Sequence, residues 1–147
     1  MKHRFIIAVV LIAGISLVQS RFHLGPWAAS SELGETSVPE QIDTAFQSHA
    51  SGLMVSAEGA VDRTLADDTS GDRHQRFIMK LPSGVTVLVA HNIDVAPRVP
   101  GIAPGASVKL HGQYEWTDKG GTVHWTHRDR RGSHEAGWIE FKGIRYE

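Results

Sequence analysis

"SVKLHGQYEWTDKGGTVHWTH", residues 107–127, is two alternating runs joined by a polar, glycine-rich turn, and the register between them decides the fold. In the first run Val108, Leu110, Tyr114 and Trp116 share one side, with Gly112 in their row; His111, Gln113 and Glu115 share the other. In the second, Val123, Trp125 and His127 face one way and His124 and Thr126 the other. A period of two is that of a strand. A slip of one residue would turn every side chain over, so the apolar rows must meet. That condition sets Tyr114 opposite Val123, Gly112 opposite Trp125 and Leu110 opposite His127. On the polar side, Gln113 then faces His124 and His111 faces Thr126.

The same period extends upstream. "LMVSAEGAVDRTL" (53–65) reads as a strand bent or bulged at Gly59. "RHQRFIMKL" (73–81) places Phe77, Met79 and Leu81 opposite His74, Arg76 and Lys80, and "PSG" turns it into the apolar run "VTVLVA" (85–90), read as central and covered on both sides. A proline-rich connection with room for one helical turn, "HNIDVAPRVPGIAPG", separates this third strand from the fourth. "WIEF-KG-IRYE" at the end predicts a hairpin with Lys142-Gly143 as its turn. Ahead of the strands, Val38, Ile42, Ala45 and Phe46 recur at helical spacing. Ser37 and Glu40 form a capping box at its start and Gly52 is read as its end. Five short strands, a bend in the first and a long break after the third predict a mainly β fold. It is a small five-stranded OB-like antiparallel barrel with an N-terminal helix and a C-terminal hairpin. An open antiparallel sheet with a helix on one face is the second choice.

The N-terminus predicts a location. "MKHR" is basic, Phe5 to Val18 is wholly apolar or small, and "VQS" ends in residues a signal peptidase accepts, so residues 1–20 read as a secretory signal. The apolar run is shorter than the roughly 20 residues a bilayer span needs. Cleavage, giving a periplasmic or secreted protein, therefore ranks ahead of an uncleaved anchor. Residues 21–36 read as a linker and 37–147 as one β domain, in a chain of 147 residues. Removing Lys2 and Arg4 leaves 13 basic residues against 16 acidic ones, a net charge of −3. That balance argues against a nucleic-acid binder. The chain has no cysteine, which excludes disulfides, thiolate metal sites and a cysteine nucleophile.

Nine histidines are many for this length, and two constellations follow from the register. His124 and His127 are three apart, so on a strand they face opposite ways; sharing a ligand would require a bulge or a chain reversal between them. His127 and Asp129 share a face if the strand continues, and His134 can return from the loop "RRGSHE". Those three are the candidate metal ligands, with zinc the expected ion, because imidazole and carboxylate ligands suit it. The second constellation is a polar face carrying His111, Glu115 and His124. With Arg76 and the loop His91, Asn92 and Asp94, it forms the candidate ligand-binding set. The plainer reading has His127 donating to Asp129 as a loop cap, His124 as an exposed strand residue, and Trp125 and Trp138 in the core.

Three further groupings are weaker. Asp67, Asp68 and Asp72 lack the spacing of a calcium loop. Arg73, His74, Arg76 and Lys80 form a basic strip which, with Tyr114, Trp116 and Trp125, offers a stacking platform. "RDRR" (128–131) reads as a solvated loop. Two functions of different class emerge. One is a binding module for a polar ligand or an envelope partner. The other is a metal-dependent hydrolase of phosphodiesterase or nuclease type, with Arg76 or Arg128 stabilising negative charge.

The stretches "RHQRFIMKLPSG", "VAHNIDVAPR", "GQYEW", "GGTVHWTHRD" and "GWIE…G..Y" resemble a family of small exported bacterial proteins. That family is known only as a domain of unknown function and is marked by an HWTH motif, which falls here on His124, Trp125, Thr126 and His127. The resemblance spans roughly residues 52–146 and implies no substrate, cofactor or catalytic residue. In architecture alone, the strand pattern is similar to periplasmic bacterial OB-fold proteins.

Overall fold

The computed structural model describes residues 38–147. The segments read as signal (1–20) and linker (21–36), and the expected Ser37 cap, lie outside the described residues. The elements in order are α1 (Val38–Gln47), β1 (Leu53–Thr64), β2 (His74–Lys80), β3 (Thr86–Asn92), β4 (Ser107–Glu115), β5 (Thr122–His124), β6 (Trp138–Phe141) and β7 (Ile144–Tyr146).

The barrel expected from the alternation closes. Strand order is β1-β2-β3-β5-β4, and β4 pairs back onto β1 from Leu53↔Tyr114 to Ala60↔Ser107. The one parallel pair is β3–β5, Leu88↔Thr122 and Val89↔Val123. Beyond β4 the sheet continues into the β6–β7 hairpin, whose turn is Lys142-Gly143 with φ of 52° and 76°. Two devices bend β1 so that it can serve two neighbours. Its register with β2 shifts between Val61 and Arg63. Gly59 lies so close to β2 that a Cβ there would be 2.5 Å from the Lys80 carbonyl oxygen.

Alternation fills the interior. Val55, Ala57 and Val61 of β1, Phe77 and Met79 of β2, Val87 and Val89 of β3, Val108, Leu110 and Tyr114 of β4, and Val123 of β5 are all buried. The outer side chains of β3, Leu88 and Ala90, are only half-buried, so that strand is central in the sheet but fully covered on one side alone. Ile42 and Ala45 of α1 join this core. α1 sits at the end where β4 finishes: Trp116 Nε1 donates to the Phe46 carbonyl at 3.1 Å and the ring packs on His49. The helix stops earlier than Gly52. His49 takes a left-handed φ of 55°, its N–H reaches Phe46 O, and the Ala50 N–H reaches Ala45 O. That is a Schellman end with histidine at the position glycine usually fills.

Because β3 and β5 run parallel, they finish together at the opposite end of the barrel, beside the start of β2. Gln113↔His124 and Tyr114↔Val123 pair as the alternation requires. The strand then stops. β6 pairs with β4 at Leu110↔Ile139 and His111↔Trp138, occupying the edge that Trp125 and His127 were expected to fill. The expected pairings Gly112–Trp125, Leu110–His127 and His111–Thr126 are therefore replaced. Trp125 turns the chain with a left-handed φ of 54°. Thr126, not Trp125, drops inward over Gly112, where a Cβ would lie 2.8 Å from Thr126 Cγ2. The chain returns at Gly137, whose N–H donates to His127 O at 3.0 Å and which has no room for a side chain against the Trp125 carbonyl.

Candidate functional site

The end of the barrel opposite α1 holds a cavity of about 540 Å³, within the usual range for a ligand site. One wall is Asp72 and His74 at the entrance to β2, with Asn92, Asp94 and Val95 at the exit of β3. The other is the stretch from His124 to His134. The pairing His74↔Asn92 joins the two parts of the first wall. The turn at Trp125 puts both His124 and His127 on the cavity, the chain reversal that a shared ligand requires.

Beneath it lies a satisfied polar floor. His91 is fully buried, with Nε2 3.0 Å from the Pro97 carbonyl and Nδ1 2.9 Å from Thr126 Oγ1. A carbonyl only accepts, so Nε2 carries the proton and the Thr126 hydroxyl donates to Nδ1. Burial pushes the His91 pKa down, against the opposing help of those hydrogen bonds. Gln75 exchanges two 2.9 Å hydrogen bonds with the backbone of Val99 and ties the connection down beside it. Asn92 caps a single turn: its Oδ1 accepts from Asp94 N and its carbonyl from Ala96 N.

The cavity's acids are mostly committed. Asp94 accepts from the Arg73 backbone N–H and guanidinium at 2.6–2.7 Å, which holds its carboxyl below the usual range. Asp129 closes the 129–134 loop. It takes the Ser133 hydroxyl at 2.6 Å and the backbone N–H groups of Arg131, Ser133 and His134, and its pKa falls far below the usual carboxylate range, the Ser133 hydroxyl being the largest cause. The loop cap expected of Asp129 thus exists, but backbone amides and Ser133 supply the donors and His127 does not. Among the described residues the Asp72 carboxylate meets only Asn92 Nδ2, at 3.4 Å. Arg128 pairs with Glu147. Among the described residues neither Arg130 nor Arg131, both lining the cavity, stands within ion-pair distance of a carboxylate.

The histidines surround an exposed indole. Trp125 keeps 38% of its surface, so it is not core. Its ring centre lies 4.0 Å from that of His134 and 5.7 Å from those of His124 and His127. The Nε2 atoms of His124 and His134 are buried without a hydrogen-bond partner among the described residues. His124 Nε2 is 3.6 Å from Glu115 Oε1, too long for a hydrogen bond, and burial lowers its pKa despite that carboxylate. Glu115 itself is held by Gln113 Nε2 at 2.6 Å.

Of the candidate ligand-binding residues, the cavity gathers Asn92, Asp94 and His124, with the candidate metal ligands His127, Asp129 and His134 facing them. His91 lies under the floor. Arg76 is held outside it by the Ala66 carbonyl and Asp68. His111 does not join Glu115 and His124 in one site. It accepts a separate pairing beneath β6, between Ser56 Oγ at 2.8 Å and Glu135 Oε1 at 3.0 Å, with Trp138 stacked on it. The acidic turn does not converge on one point either, since Asp67 is claimed by Arg98 and Asp68 by Arg76 and Ser70 N. Several lining residues were not counted with the site: Val95, Trp125, which was placed in the core, Arg130 and Arg131, which were placed in a solvated loop, and, at the entrance to β2, Asp72 and His74. The hairpin through "PSG" carries the signal for the last two: once Phe77 faces Val89, His74 must face Asn92.

Residues 27–147 match the family described as "Protein of unknown function (DUF3465)", and the chain belongs to that family. It is thus a small closed β-barrel of a family without an assigned activity. No protein of the curated set matches it.

Proposed function

We propose that this protein is a binding module whose cavity takes a polar, anionic ligand. The observation that carries the reading is the imbalance inside the cavity. Asp94 and Asp129 are already bound to donors of the chain, while among the described residues Arg130 and Arg131 have no carboxylate within ion-pair distance. An anion entering there meets uncommitted guanidinium groups, which suit phosphate or carboxylate, beside an exposed aromatic surface. The basic, apolar and small-residue order of residues 1–20 supports placing this module outside the cytoplasm, with an envelope component as its source of ligand. Protein isolated from its own host should then begin near Arg21.

Pyrophosphate is a suitable probe. Titrated into the full chain, it should shift the backbone amide and indole resonances of Trp125 and those of the 128–134 loop. The Arg130→Ala, Arg131→Ala double variant should lose most of this binding. An unchanged affinity in that variant would sink the reading.

A further inference from the structure

We infer that the cavity also holds a divalent transition metal of the zinc class, bound through Nε2 of His127 and His134 with His74 as the third ligand. Three histidines on the cavity wall share a feature. The Nδ1 atom of each lies against a main-chain carbonyl: His74 against Asp72 O at 2.8 Å, His127 against Arg128 O at 3.2 Å and His134 against Glu135 O at 2.7 Å. A carbonyl cannot donate, so in each ring Nδ1 carries the hydrogen and the neutral ring presents its lone pair on Nε2. A metal-binding imidazole is usually fixed in this way, its second nitrogen donating to a carbonyl or carboxylate. His91, whose Nε2 takes the carbonyl instead, is excluded by the same test.

Two of the three rings already stand in a suitable relation. His127 and His134 have ring centres 5.6 Å apart and planes at 84°. Two imidazoles on one tetrahedral ion, each bonded at about 2.0–2.1 Å, place their centres a little over 5 Å apart. The His134 Nε2 lone pair is buried and unmatched. Asp129 Oδ2, at 3.9 Å, is a carboxylate oxygen that has no hydrogen to give it. A cation on Nε2 resolves that arrangement. Asp129, the expected ligand, instead has both oxygens engaged by the loop and supplies negative charge beside the ion. Among the described residues no three such side chains are yet gathered around one point. His74, which lines the same cavity, is the side chain offered as third ligand, and reaching the pair gives up its contact with the Asp72 carbonyl. A remaining coordination position is left for water or ligand. The site differs in kind from the arginines of the anion reading, so either stands without the other.

The test is zinc titration of the metal-stripped full chain at pH 7.5, read on the imidazole ¹⁵N resonances. Zinc should move Nε2 of His127 and His134 together, saturating at one equivalent, and leave His91 and His111 in place. His134→Gln and His127→Gln should each weaken zinc binding by about 100-fold, the upper end of what even outer-layer ligand partners cost. His74→Gln should weaken it less. Arg130→Ala should not. Because His127 is buried and its variant risks misfolding, the wild-type resonances decide the matter without it. Nε2 signals of His127 and His134 that stay unmoved at saturating zinc overturn the inference, as does binding undiminished in His134→Gln.

Discussion

The two ends of the barrel are built from the same kinds of residue and do opposite things with them. At the helix end Trp116 packs on His49 with ring centres 4.2 Å apart, and His49 is left-handed at φ 55°. At the cavity end Trp125 meets His134 at 4.0 Å, and Trp125 is left-handed at φ 54°. The first arrangement is closed. The His49 conformation completes a Schellman end, and the Trp116 N–H is taken by the Phe46 carbonyl. The second is open: Trp125 is exposed and, among the described residues, two neighbouring imidazoles keep a buried nitrogen without a partner. A left-handed conformation costs a bulky residue of order 1–3 kcal/mol. At the helix end the termination of α1 offsets it, whereas at the cavity end no comparable local hydrogen bonding does among the described residues. The comparison separates strain that serves folding from strain that holds a site in shape.

The largest effect that tests this contrast lies at the helix end. Ile42 is fully buried, and Ile42→Ala should lower unfolding free energy by about 2–5 kcal/mol in a urea titration. Affinity for pyrophosphate should be unchanged. Coupled loss of both would show that the two ends are not independent.

Acid should produce the next largest effect, and at the cavity end. Burial lowers the pKa of His91, and of His124 to which it also applies, so the unfolded chain takes up protons that the folded one resists. Stability then rises with pH across that window. It is complete above the unfolded value of about 6.5 and is lost as pH falls from there toward the lowered folded values. Urea midpoints measured between pH 7.5 and 5 should fall, and His91→Gln should flatten the slope. A slope of the opposite sign would mean that these imidazoles are charged in the fold.

The smallest effect on stability is expected at Trp125. Trp125→Gly removes an exposed ring and relieves the left-handed strain, so stability should stay within about 1 kcal/mol of the parent. The edge contact that positions His134 is lost, and pyrophosphate affinity should fall about tenfold, a difference of about 1.4 kcal/mol. Marked destabilisation with unchanged binding would assign Trp125 to the core after all.

The part of the fold that repeats every two residues was legible. Alternation on both strands fixes Tyr114 against Val123, and the same logic carries through β1 to β3. The break at Trp125 was not, because a left-handed tryptophan has no local signal of the kind glycine or asparagine provides. What imposes it is β6, which takes the edge of β4 beside Leu110 and His111. That His127, Asp129 and His134 line one cavity was legible, since they are close in sequence. Their tautomers were not, because those depend on which nitrogen meets a carbonyl. His74 was within reach of register reasoning but lies fifty residues from the motif that drew attention.

The closure of the barrel also governs when the protein can form. β1 is the first strand made, yet one of its edges is completed only by β4, with Leu53 waiting for Tyr114. Loop-closure entropy has to be met before that contact returns anything, so folding belongs to the slower, millisecond-to-second class of non-local β topologies. During synthesis that edge of β1 has no partner until β4, in the last third of the chain, has emerged.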